Sequence, residues 1–200
     1  MMVRVEVFNR SAVLGAGVVL IGLLGACSGG GSSAPQTSEM PPAPQVAPGP
    51  AVADPKDAAA AAGCGLLSDA AAAAIGLKTP GEVEVNDVQP GGPEGCTWEL
   101  QGPFGSNVNL TPFTDRSLKE YYDNRSTFSD FQELTIAGHP AVRANQGNPA
   151  SDGYCGVFLA TKQGQVLSSI SSVSRDSGVE PCGLAQKALE ASVPSLPAAK

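Results

Sequence analysis

Cys96-Thr97-Trp98-Glu99-Leu100-Gln101 alternates apolar and polar side chains without a break. A period of two marks a strand with one face buried and the other wet. Cys96, Trp98 and Leu100 point one way, and Thr97, Glu99 and Gln101 the other. Turn formers bound the run on both sides, at residues 90–95 and at Gly102-Pro103-Phe104-Gly105. Strands joined by short turns predict an antiparallel sheet, because a parallel crossover needs about a dozen residues or more.

The same pattern extends outward. Upstream, residues 82–88 predict a strand with Val83 and Val85 on one face and Glu82 and Glu84 on the other. Downstream, Val108 and Leu110 mark the next strand. Residues 131–136, 140–144, 154–160 and 165–171 read as four more, with tight links at Gly138-His139 and Lys162-Gln163-Gly164. Three segments keep helical spacing instead. Leu66, Leu67, Ala70, Ala71, Ala74 and Ile75 form the first, with Ser68 as its cap and Gly76 as its stop. Residues 117–124 form a second, with Leu118, Tyr121 and Tyr122 on one side. Residues 181–193 form the last, opened by Pro181 and striped by Leu184, Ala188 and Leu189. The order is helix, three strands, helix, four strands, helix. It predicts an α+β fold, a mostly antiparallel sheet with helices packed on one face.

Before this domain the composition changes. Residues 1–26 read as a leader: Arg4 and Arg10 at the start, then an apolar run over residues 11–24. A membrane-spanning helix needs about 20 apolar residues, so this run of about 14 is a signal and not a span. It ends in Leu23-Leu24-Gly25-Ala26-Cys27, which resembles the lipobox of bacterial lipoprotein precursors. That resemblance implies acylation of the Cys27 thiol, cleavage before it, and an anchor on the extracytoplasmic side of the cell membrane. Residues 27–60 are rich in Pro, Gly and Ala and too poor in large apolar groups to fold, so they are expected to form a tether. About thirty such residues reach about 30 Å as a coil and about 90 Å as polyproline II. Ser32, Ser33, Thr37 and Ser38 are candidate O-glycosylation sites there, and Asp54 and Asp57 are expected to be solvated. The folded domain is expected over residues 61–197, with a tail at 198–200.

The formal charge of the 200-residue chain is −7, from 12 basic and 19 acidic residues; removing Arg4, Arg10 and Glu6 with the leader leaves 10 and 18, or −8. This balance argues against nucleic acid as a partner, which needs a basic face. Cys27 aside, four cysteines remain: Cys64, Cys96, Cys155 and Cys182. An even number in an exported chain predicts two disulfides. The absence of any C-x-x-C pair argues against structural zinc. Of three possible connectivities, Cys64–Cys96 and Cys155–Cys182 are favoured because shorter loops close more easily.

Sites for catalysis are sparse. His139 is the only histidine, and no G-x-S-x-G elbow accompanies it, so a serine triad is not expected. It reads instead as an exposed turn residue. Cys155 has a disulfide partner and is no nucleophile. Glu82, Glu84 and Glu99 are the candidate carboxylates for glycan hydrolysis, but alternating Glu and Val is also how any half-exposed strand looks. No motif for a metal or cofactor is present. Trp98 is assigned to the core, and so are Tyr121, Tyr122 and Phe128, although those three would also suit the mouth of a pocket between helix and sheet.

Several landmarks recur in order: Cys64-Gly65-Leu66-Leu67-Ser68, Cys96-Thr97-Trp98, Gly138-His139-Pro140-Ala141, Cys155-Gly156-Val157, and Pro181-Cys182 before Leu196-Pro197. Behind a lipobox, this set resembles an actinobacterial lipoprotein family defined by a domain of unknown function (number thirty-five fifty-eight). The resemblance implies a cell-envelope lipoprotein and supplies no catalytic residue. The expected function is a non-enzymatic module binding an envelope protein or a glycan. A carrier or sensor of a small apolar ligand is the alternative, and a glycan hydrolase the third reading.

Overall fold

Trp98 and Cys96 sink from one face of a seven-stranded antiparallel sheet and are almost wholly buried. The computed structural model describes residues 49–102 and 105–200. The expected leader, the Cys27 lipidation site and most of the tether lie outside the described residues. The strands are β1 (Glu82–Glu84), β2 (Gly95–Glu99), β3 (Asn107–Phe113), β4 (Asp130–Ile136), β5 (His139–Asn145), β6 (Tyr154–Lys162) and β7 (Gln165–Ser172). Their order across the sheet is β1-β2-β3-β7-β6-β5-β4. Register carries the alternation through: Trp98 pairs with Val108, Cys96 with Leu110, and Leu159 with Leu167. These side chains share one face and form the main core.

Four α-helices occur among the described residues: α1 (Asp69–Ala74), α2 (Leu118–Asp123), α3 (Pro149–Asp152) and α4 (Pro181–Ser192). Ser68 caps α1 by accepting from Ala71 N, and Gly76 follows its end with φ +84°. α4 packs across β3, β6 and β7 on the main-core face. Its contact side uses the small Ala185 and Ala188, and β7 answers with the fully buried Ser169 and Ser171. Small side chains on both partners let the helix come close, and Ser171 Oγ donates to Pro181 O at 2.7 Å. Glu180 caps α4 through Cys182 N (3.0 Å) and Gly183 N. The disulfides are Cys64–Cys96 and Cys155–Cys182, the two favoured pairs. The first ties the turn before α1 to β2, and the second ties the start of β6 to the start of α4.

The structure corrects several expectations. The helices do not all lie on one face. α2 packs on the opposite face, where Leu118, Tyr121 and Tyr122 join Val142, Ala160 and Val166 in a second core. The short α3 also adds a helix between β5 and β6 that the expected order lacked.

The strand expected over 82–88 is only β1, with Val83 56% and Val85 75% exposed. β1 is the sheet's edge, and the buried Asn86 ends it by donating to Pro93 O and Pro112 O.

His139 is no exposed turn residue. The turn is Ala137-Gly138, both with positive φ, which matches the twist of a two-residue hairpin. His139 therefore opens β5 opposite Ile136, buried, with Nδ1 3.2 Å from Ala160 O.

The packed chain also starts well before residue 61, and residues 198–200 are no loose tail. Val52 packs against the second core and Ala58 is fully buried. Lys56 forms a bridge with Ala198, and Asp57 N donates to Pro197 O at 2.8 Å. Asp57 is not a solvated tether residue. It lies between Gln165 Nε2 (3.1 Å) and Lys162 Nζ (2.8 Å), whose hydrogen bonds hold its carboxyl below the usual range.

Candidate functional site

Among the described residues, the second face is only partly covered. α2 is short, and its aromatic side chains reach across β6: Tyr121 stacks on Phe158 with centroids 4.3 Å apart. Burial pushes the Tyr121 phenol up to about 12, so it stays neutral as a packing group. Past the end of α2 the chain makes a 3₁₀ turn, Arg125–Thr127, and delivers Phe128 6.3 Å from Tyr121 and 6.2 Å from Phe131. Here the helix cover stops and a cleft of about 310 Å³ opens. Gly156, Phe158 and Ile170 make its floor, and Phe128 and Tyr154 stand among its walls.

Local chemistry explains the opening. β5 and β6 pair backbone to backbone from Ala141 to Arg143, and then the pairing stops. Asn145 takes over with its side chain, accepting from Gly156 N at 2.7 Å. Its Nδ2 donates to Asp130 Oδ2 (2.8 Å), while Arg143 Nε and Nη2 donate to Asp130 Oδ1 (3.1 and 2.6 Å). The strands are thus parted by a side chain's length but held in fixed geometry. The space is rimmed by α3 and the loop before it. Asn148 caps α3 by accepting from Ala150 N (3.0 Å), and the left-handed Gly153 ends it.

Two glycines keep the cleft clear. A Cβ on Gly156 would lie 3.2 Å from Ile170 Cδ1 and 3.3 Å from Phe158 Cε2, and any longer side chain would fill the floor. A Cβ on Gly147 would overlap Oδ2 of Asp152, the one carboxylate in the lining. Tyr154 is half exposed, and its burial on one side raises its phenol pKa. The cleft therefore offers an apolar floor, aromatic side walls and a polar rim. That combination suits a small, partly apolar ligand.

The expected site residues fall elsewhere. Cys64, Cys96, Cys155 and Cys182 are all oxidised, the last three in the core and Cys64 packed against it. Glu82 and Glu84 stand exposed on the edge strand, and Glu84 accepts from Asn109 Nδ2 at 2.8 Å. Glu99 is bonded to Lys78 Nζ at 2.7 Å, which lowers its pKa, the wrong direction for a general acid. Trp98 is core, as expected. Of the three aromatic residues considered for a pocket mouth, Phe128 lines the cleft, while Tyr121 and Tyr122 pack behind it. Tyr154, Gly156, Phe158 and Asp152 went unnoticed as a site. Gly156 carried the one available signal: a lone glycine inside a strand marks close approach or an opening.

A family model described as "Protein of unknown function (DUF3558)" matches residues 22–195. The chain belongs to that family. The DUF3558 match spans every strand and helix described above, and it begins just before Leu23-Leu24-Gly25-Ala26-Cys27. No curated protein and no solved structure matches the chain. Among the described residues, no helix is long and apolar enough to cross a membrane.

Proposed function

We propose that this member of the DUF3558 family is a non-enzymatic binding protein, lipid-anchored at the outer face of the cell membrane, whose binding site is the cleft between Phe128, Tyr154 and Phe158. The cleft is the observation that carries the reading. Its volume reaches the lower end of the range for small-molecule sites, about 300–1,000 Å³. It is held open by a fixed hydrogen-bond network and not by chance packing. The placement of reactive groups supports the non-enzymatic part. The histidine is tied into the sheet, the four domain cysteines are paired, and Glu82 and Glu84 lie on a solvated edge. The lipobox resemblance supports the anchor, and the family match reaches back across it. A tether of the expected composition would keep the cleft near the membrane and raise its effective concentration there.

Native mass spectrometry of the protein extracted from its own envelope tests this reading. The expected result is an extra small-molecule mass on the folded wild type, lost on denaturation and absent from Gly156→Val, whose side chain fills the floor. Phe128→Ala, which removes a wall without crowding the strand, should lose the same mass. A wild type that carries no ligand, or variants that keep it, would remove the cleft as the site.

A further inference from the structure

The cleft has a chemical bias beyond being apolar. Three aromatic side chains, Phe128, Tyr154 and Phe158, line one small space. Their ring faces carry partial negative charge and attract a cation that sheds its water. Among the described residues, Asp152 is the only ionisable group in the lining besides Tyr154, and no lysine or arginine lines the cleft. None of the salt bridges among the described residues involves Asp152. Its carboxylate is positioned by Ser151 Oγ, 3.0 Å from Oδ1, and by Gly147, which leaves it room. Arg125 is placed over Phe131, outside the cleft. The whole chain is acidic, so its field also favours a positive ligand.

The floor narrows the type of cation. Gly156, Phe158 and Ile170 offer no side-chain acceptor, so a bare ammonium with three N–H donors would be left partly unsatisfied there. An alkylated ammonium presents methyl groups to the rings and asks for no hydrogen bond. We propose that the cleft takes a ligand bearing an alkylated ammonium group, seated against Phe128, Tyr154 and Phe158 and balanced by the Asp152 carboxylate. This rests on the cleft being the binding site.

The test titrates the full chain, ¹⁵N-labelled, with choline and with its neutral carbon isostere, 3,3-dimethylbutan-1-ol. Choline should shift the resonances of residues 145–158 and bind at least about tenfold more tightly than the isostere. Asp152→Asn should weaken choline about fivefold or more and leave the isostere unchanged. Equal affinity for the two probes, or an Asp152→Asn variant that binds choline normally, overturns the ammonium assignment. Isostere shifts confined to the cleft would then leave the cleft reading standing. Silence from both probes, with an envelope-derived mass that survives Gly156→Val, overturns the cleft itself. Flotation of the Cys27→Ser chain separates two sources of the group. Capture by phosphatidylcholine vesicles and not by phosphatidylglycerol vesicles assigns a lipid head group, and binding of dissolved choline alone assigns a soluble ligand. Either supports the proposal.

Discussion

Asp57 Oδ2 lies 2.8 Å from Nζ of Lys162, joining the first packed residues of the domain to the turn between β6 and β7. Gln165 completes the joint: its Oε1 accepts from Ala58 N at 2.7 Å and from Thr161 Oγ1 at 2.8 Å. The lowered pKa of Asp57, due first to the Lys162 hydrogen bond and then to Gln165, makes this joint sensitive to acid. A carboxyl whose pKa is lower in the folded state adds stability above its unfolded pKa, about 3.9, and loses it as pH falls through the folded value. Asp57→Asn should therefore lower the Tm at pH 7, by the equivalent of about 0.5–1 kcal/mol for a partly exposed pair. The gap to wild type should close as pH falls through the folded value. Thermal melts of both proteins between pH 2 and pH 7 check this, and a gap independent of pH would contradict it.

The disulfides close loops of 32 and 27 residues. In the chain-entropy model each contributes about 3.5 kcal/mol. Replacing both cysteines of either pair with alanine should lower the Tm by about 10 °C. Iodoacetamide should label none of the four in the native, unreduced domain and all of them after reduction and unfolding.

Gly81 sits over the first disulfide. A Cβ there would be 2.5 Å from Trp98 Nε1 and 2.6 Å from Cys96 Sγ, both buried and unable to retreat. Gly81→Ala should cost about 1–3 kcal/mol by overpacking. It should also raise the fluorescence sensitivity of Trp98, the only tryptophan, to added quencher. A variant as stable as wild type would mean that the 81–84 segment shifts freely at the sheet edge.

Replacing the thiol at the proposed anchor separates address from fold. Cys27→Ser should leave the chain unacylated and move it from the membrane fraction to the soluble one, with the domain's Tm unchanged. Retention at the membrane would point to a second attachment.

The strand over residues 96–101 was legible because its period of two is unbroken and turn formers bound it, and the helices because Ser68 and Pro181 open them. The second face was missed for a physical reason. Residues 155–160 are apolar or small at every position, which is how a strand covered on both faces reads. The amphipathic residues 117–124 were the cover, but periodicity gives a helix's apolar side and not the sheet face that it meets. His139 was misplaced by one residue of turn register, and a one-residue slip moves a side chain from solvent to core. The edge valines misled in the opposite way: Val83 and Val85 alternate properly, yet no layer among the described residues buries them. The cleft was the least legible part. It depends on Asn145 standing in for a backbone partner of Gly156 across eleven residues, a substitution that no local pattern announces.

The joint at Asp57 also sets an order of events. Its partners are Lys162, Gln165 and the segment from Pro197 to Ala199, which accepts from Asp57 N and donates to Pro55 O. These partners are synthesised more than a hundred residues after Pro55–Ala58. This joint therefore cannot close until β6, β7 and residues 197–199 have been made. A chain made only as far as β5 carries its opening strap undocked, with Ala58 N still lacking its partner Gln165. Loss of residues 197–199 would loosen the beginning of the fold as well as the segment itself.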